Sequence, residues 1–263
     1  MLKKLLKYDL KWIFKLLVVF YSIALVFSIL TRIFLSIDNS TVFNIIGKIC
    51  SGITISFIFN IIVNNIIRCW VRFIRNLYGD ESYLTHTLPV EKKTIFLSKF
   101  LTGIITMLVS ISVIFVVLFI AYYSKENIEI LKNLLNIVAT IYNSTVIKLL
   151  LIIFVVLFLE MVFTIFAGYI GILIGHKSND KRMIKSIIYG FITYMATQTI
   201  TLILMFICGL FNKDIMNLFM TNNIVNIDIL KYIMYGAILI YIIYIIIYYV
   251  IGNKLLKNGI DVD

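Results

Sequence analysis

The chain has 263 residues, 62% of them hydrophobic and 14% charged, with a formal net charge of +11. Soluble domains are about half apolar and a quarter charged, so this composition excludes an ordinary soluble globular protein. With a mean hydropathy of +1.04, the basic excess points to membrane topology and anionic lipid rather than to nucleic acid.

Several apolar runs reach the ~20 residues that cross a ~30 Å hydrocarbon core as a helix. Runs such as residues 149–159, LLLIIFVVLFL, do not alternate, which argues against a membrane barrel. The single proline, Pro89, fits long uninterrupted helices. The expected fold class is all-α integral membrane. It comprises six transmembrane helices, an amphipathic N-terminal interfacial helix and a short cytoplasmic helix, in a single transmembrane domain over residues 1–263. Cys50, Cys69 and Cys208 are scattered, without C-x-x-C spacing, and read as small apolar residues rather than a disulfide or metal framework. The abundance of Ile, Asn, Lys, Tyr and Phe suggests an AT-rich, bacterial genome.

Residues 1–15 place Lys3, Lys7, Lys11 and Lys15 at four-residue spacing, with Lys4 beside them. This is a basic amphipathic helix suited to the cytoplasmic interface, with Trp12 at headgroup level. The first span is expected at 16–37. It is too long for a signal-peptide core, and no A-x-A-like cleavage site follows. The second span, 45–67, carries Asn60 and Asn64 on one face. Helical pattern continues through Leu77, so a helix over 45–77 would be ~50 Å long and project ~20 Å beyond the core. Its projecting end bears Arg68, Arg72 and Arg75 on one stripe. Two readings stand for that stripe: headgroup anchoring, or a basic face towards a cytosolic partner.

The stretch 79–99, GDESYLTHTLPVEKKTIFLSK, is the polar island of the chain. Gly79 suits a left-handed cap ending the second helix. Asp80 is placed to cap a short helix, with Glu81 in its first turn favoured by the dipole. The helix ends near Leu88, because Pro89 disfavours helix in the residue before it. About seven residues, ~10 Å, cannot be stable without something to pack on. Tyr83 with Thr87, and Leu84 with Leu88, are i, i+4 pairs that could form the contact face.

The third span is expected at 100–123, followed by an amphipathic external segment at 124–148. The sequons Asn39-Ser40-Thr41 and Asn143-Ser144-Thr145 carry little meaning in a bacterium. The fourth span, 149–175, contains Glu160, the one acid deep in an apolar run. A charge at membrane depth faces other helices or a cavity. Two readings stand: a buried acid hydrogen-bonded to Ser, Thr or Asn of a neighbouring helix, or a substrate-contacting or gating acid. Ala167, Gly171 and Gly175 recur every four residues and permit close helix approach, either within this chain or between subunits. The basic loop 176–185 begins with His176, expected to be solvated. The fifth span, 186–211, carries Thr193, Thr197, Gln198 and Thr201. Segment 212–231 reads as a second external element, re-entrant or on the surface. The sixth span, 232–251, is rich in Tyr, and Asn258-Gly259 marks a turn in the tail. Six spans put both termini on one side, which holds 17 Lys and Arg against 7 on the other, so both termini are expected in the cytoplasm. No sequence repeat relates the halves, which argues against an inverted-repeat secondary transporter.

The chain has no G-x-x-x-x-G-K-[ST], no H-E-x-x-H and no G-x-G-x-x-G. An enzyme is not expected, nor a metal site or a bound nucleotide cofactor. What remains is the motif D-E-S-Y-L-T-H-T-L-P-V (80–90), the basic pair Lys92-Lys93, and L-S-K (97–99). It resembles the permease subunits of bacterial ATP-binding-cassette (ABC) exporters of type-2 fold. Those carry close variants of E-G-Y-L-T-x-T-L-P-V-S followed by L-x-S-K-L-L. Here Ser82 stands for the Gly and Glu91 for the Ser. The resemblance implies that 79–89 is a coupling helix, with Asp80, Glu81, Tyr83, Leu84, Thr87 and Pro89 meeting a separate cytosolic ATPase that binds the ATP. It implies a Lys-rich connecting helix at the N-terminus, and a second permease subunit, identical or not. It also implies that the second and fifth spans face a translocation path, for which Asn60, Asn64, Thr197, Gln198 and Glu160 are the candidates. The implied function is export of a peptide, antibiotic or lipid-like amphipathic substrate across the bacterial cytoplasmic membrane. The alternative is a non-transporting membrane adaptor, immunity or sensor subunit.

Overall fold

The computed structural model describes residues 1–37, 41–141, 144–178, 180–219 and 227–257. The first two residues of the sequon at Asn39, the first of the sequon at Asn143, the Asn258-Gly259 turn and part of the 212–231 segment lie outside the described residues. Among the described residues the chain is helical, with no strand. Six helices are long and apolar enough to cross a membrane: α1 (Leu2–Leu35), α2 (Thr41–Leu77), α4 (Lys92–Tyr122), α6 (Val146–Gly175), α7 (Arg182–Phe211) and α9 (Ile227–Lys257), the last over Tyr232–Lys257. The short helices are α3 (Ser82–Thr87), α5 (Lys125–Ile141) and α8 (Lys213–Met216), the last followed by a 3₁₀ turn, Asn217–Phe219. The chain forms two compact units that divide within α5, between Leu131 and Lys132.

In the first unit α1 packs on α2 and α4, and α2 packs on α4 and α3. No break separates an interfacial segment from a first span: α1 is one helix of 34 residues. Its lysines at positions 3, 4, 7, 11 and 15 are exposed. Its buried stripe is Asp9, Ile13, Leu17, Tyr21, Ala24, Ser28 and Thr31, at spacings of three and four. That period keeps one face of a 3.6-residue helix turned inward over the whole length, which is why the basic end and the apolar end run on as one element. The interface is partly polar. Ser110 Oγ of α4 accepts a bond from Asn65 Nδ2 of α2 at 2.7 Å and lies 2.7 Å from Tyr21 Oη of α1. Thr31 and Thr54 hydroxyls meet at 3.2 Å. In hydrocarbon, where apolar contact gives little net drive, such interhelical bonds and close packing hold helices together.

In the second unit α6 packs on α7 and α9. The small-residue repeat of α6 is spent on α7. A Cβ on Gly171 would lie 2.2 Å from Gly190 N, and one on Gly175 would lie 2.4 Å from Ser186 N. The repeat therefore serves packing inside this chain, the first of the two readings. On the α9 side, Phe163 of α6 is ringed by Tyr194, Tyr241, Tyr244 and Tyr248 at 5.4–5.8 Å between centroids. Three of these pairs are tilted and Tyr248 is stacked on the ring, geometries that at this range suit the aromatic quadrupole. Tyr244 Oη donates to Thr197 O at 3.2 Å, and Tyr248 Oη to Thr197 Oγ1 at 3.3 Å, tying α9 to α7.

His176 is not solvated. It is 6% exposed, and its Nδ1 lies 3.0 Å from both Ile172 O and Ser186 Oγ. The turn after α6 folds its imidazole back against the start of α7. Burial holds its pKa below the ordinary histidine value, with the charge of Arg182 acting the same way and the Ile172 carbonyl opposing.

Candidate functional site

The polar island 79–99 and the ends of three spans form one site. Helix α2 is followed by a tight reversal, in which Gly79 N donates to Ile74 O at 3.1 Å and Ser82 N to Gly79 O at 2.8 Å. Gly79 is not left-handed as expected. Its role is close approach, since a Cβ there would stand 3.2 Å from Arg75 Cα. The short helix starts later than expected as well. Its cap is Glu81 rather than Asp80, and no side-chain oxygen bonds its free N–H groups. Leu88 is extended at ψ 137°, as the following Pro89 requires.

Glu81 does not face outward for a partner. Its Oε2 accepts from Arg72 Nη1 at 2.7 Å and from Asn76 Nδ2 at 2.5 Å, and its Oε1 lies 3.4 Å from Arg75 Nε. Behind it, Arg72 Nε donates to Asp9 Oδ1 at 2.8 Å. Lys99 Nζ donates to both oxygens of Asp9 at 2.7 Å and also bonds Asn76 Oδ1. Ser98 Oγ donates to Asp9 Oδ2 at 3.2 Å. Asp9 is 2% exposed, Lys99 4% and Arg72 8%. Two carboxylates and two cations thus sit together at the N-terminal end of α1, with their hydrogen-bonding capacity largely met. This is the condition under which buried charge is tolerated. Trp12 of α1 lies under the guanidinium groups of Arg68 and Arg72, at 5.0 and 5.4 Å. The arginine stripe of α2 is therefore mostly spent inside the chain, and Arg75 alone of the three is exposed.

The other side of α3 is bare. Ser82 and Thr85 are buried against α2, while Tyr83 is 75% exposed and Leu84 67%. Asp80, Thr87, Leu88 and Pro89 are exposed too. Thr87 Oγ1 turns back to Tyr83 O at 3.0 Å and Leu84 O at 3.1 Å. A cleft of about 310 Å³ opens beside α3, lined by Leu5, Leu84, Leu88 and Ile95 and floored by the ion cluster.

The path candidates lie in both units. Asn60 Nδ2 and Asn64 Nδ2 each bond the carbonyl four residues back on α2, at 2.9 Å, and make no interhelical bond among the described residues. Thr197 is buried between α7 and α9. Phe163 of α6, one turn beyond Glu160, stacks on Tyr248 of α9, whose hydroxyl bonds Thr197, the residue before Gln198. The second unit therefore brings Glu160, Thr197 and Gln198 into one region.

Asp9 and Asn76 of the ion cluster carry no role in the sequence reading, and Ser98 and Lys99 enter it only within the L-S-K motif. One signal was available for Asp9. It is the only acid in residues 1–37, and it sits four residues before Ile13 on the inward stripe. A lone acid on the apolar face of a basic helix calls for a buried cation. No match to this chain is found among protein-family models, curated proteins or solved structures.

Proposed function

We propose that this chain is the membrane-spanning permease subunit of an ABC exporter, powered by a separate cytosolic ATPase. The observation that carries this reading is the two-sided character of the short helix α3. Its inner side is fixed by Glu81 to Arg72 and Asn76, while Tyr83 and Leu84 are presented outward. A helix of six residues has no stability of its own. Its packing goes to α2, and two large side chains are left over for another surface. The motif over 80–99 adds the family resemblance, and the Lys and Arg bias supports a cytoplasmic position for α3 and both termini.

The mechanism follows from the connections. ATP-driven closure of the partner would displace Tyr83 and Leu84. Glu81 passes that displacement to α2 through Arg72 and Asn76. Asp9 and Lys99 pass it to α1 and α4, so three spans move as one body. Packed interfaces of this kind switch between discrete arrangements rather than deforming smoothly. The transport unit would contain two permease subunits in the bacterial cytoplasmic membrane. The cargo would be a peptide, antibiotic or lipid-like amphipath.

Gentle isolation of the tagged protein from its native membrane tests this reading. An ATPase subunit is expected to co-isolate with the parent chain and to be lost with the Tyr83→Asp, Leu84→Asp double variant. An isolate without any ATPase, or a double variant that retains it, refutes the coupling role of α3.

A further inference from the structure

We propose that the unit built from α6, α7 and α9 holds a recognition site for a lipophilic cation, with Glu160 as the counter-charge. Glu160 is the fifteenth of the thirty residues of α6, the middle of a helix long enough to span a membrane. A carboxylate at that depth is costly unless it meets a cation or faces a cavity. The fully buried charges Asp9, Arg72 and Lys99 are paired with one another, and Arg72 also has Glu81. Glu160 has no ion pair among the described residues. The one hydrogen bond from Thr164 Oγ1, at 2.9 Å, goes to its main-chain carbonyl and not to the carboxylate.

The surroundings suit a cation with an apolar body. Glu160 is half-buried, so its carboxylate is neither sealed in the packing nor spread on an open face. Phe163 stands one turn along α6, with the rings of Tyr194 and Tyr241 at 5.7 and 5.6 Å. A carboxylate beside aromatic rings is the chemistry that recognises amine and quaternary ammonium groups. The bound group is thus a monovalent cation carried on an apolar framework. Calling it the cargo rests on the permease reading, but the site itself does not, and its test uses this chain without an ATPase.

The experiment is equilibrium binding of tetraphenylphosphonium to the purified full chain in lipid nanodiscs, with tetraphenylborate as the size-matched anion. Saturable binding of the cation alone is expected. Glu160→Gln should weaken it at least ~10-fold, about 1.4 kcal/mol, while Glu160→Asp retains it. Tyr241→Leu should weaken it as well, and Tyr241→Phe should not. Equal binding of the anion, or unchanged cation binding in Glu160→Gln, overturns the proposal. If Glu160→Gln does not fold, the pair Glu160→Asp and Tyr241→Leu decides, and equal binding by both refutes it. Absence of an ATPase partner would overturn the permease reading and leave this result standing.

Discussion

Replacing Asp9 by Asn tests the ion cluster, because it removes one charge and almost no volume. In the parent, Asp9 accepts four hydrogen bonds: one from Arg72, two from Lys99 and one from Ser98. The variant leaves Arg72 with Glu81, which is only partly buried, and Lys99 with the Asn76 amide oxygen. Lys99 then loses both charge-assisted bonds from its buried ammonium group to Asp9. Breaking a buried pair from one side costs ~3–5 kcal/mol, whereas replacing both partners by apolar residues of similar volume is often neutral. Asp9→Asn should therefore destabilise by about 3 kcal/mol or more. Asp9→Leu with Lys99→Met should recover most of that loss, because Arg72 keeps Glu81. At ~2–4 °C per kcal/mol for a chain of this size, the single variant should lower the unfolding midpoint by at least ~6 °C. The chain supplies its own probe, since Cys50 and Cys69 are buried and Cys208 is exposed. In a Cys208→Ser background, a thiol-reactive dye reports the opening of the α1–α2–α4 bundle during heating. Raising salt should leave the parent midpoint unchanged, because a buried pair is poorly screened. A midpoint for Asp9→Asn within ~1 °C of the parent, or a double variant no better than the single one, refutes the account of the cluster as a structural junction.

Three further outcomes follow from the geometry. Tyr83→Asp with Leu84→Asp should leave the unfolding midpoint unchanged while abolishing partner binding, because both side chains are exposed; a large thermal shift would place them in the core instead. Gly171→Ala should destabilise by ~1–3 kcal/mol, since its Cβ would meet Gly190 backbone that cannot yield without parting α6 from α7. Gly52→Ala, with open space around it, should be neutral or mildly stabilising by helix propensity, and equal effects in the two glycine variants would refute the close crossing. For His176 the depressed pKa sets the sign. Above about pH 6.5, the ordinary histidine value, neither state holds the proton. Below it the unfolded chain binds the proton first, so stability falls as pH drops towards the folded-state pKa. The parent should lose stability on acidification relative to His176→Gln, and parallel pH profiles of the unfolding midpoint would refute this.

Much of the fold was legible in the chain because hydrocarbon imposes a simple rule. Apolar runs of sufficient length must be helices when their backbone groups have no water to bond. The six spans, the extension of α2 to Leu77 and the short helix ahead of Pro89 all follow from length, composition and one proline. Fine placement was less legible. The interfacial helix expected over 1–15 and the span expected over 16–37 are one helix, α1, because its inward stripe continues through the basic end. Asp80 was read as the cap, but the turn places Glu81 there and draws its carboxylate to Arg72 instead. Gly79 was read as left-handed, but close approach to Arg75 explains it.

Local periodicity and length determined that this chain is a set of membrane-length helices with a polar island between the second and third spans. Both depend on a residue and its near neighbours, and they survive whatever the rest of the chain does. Which charges are paired depends on residues 63 and 90 positions from Asp9, brought together only when three helices pack side by side. The same holds for the repeat at Gly171, which could have faced another subunit and is filled by Gly190, and for His176, which could have met water and is covered by Ser186. Tertiary structure decided these because a charge or a small side chain carries no mark of which distant surface will satisfy it.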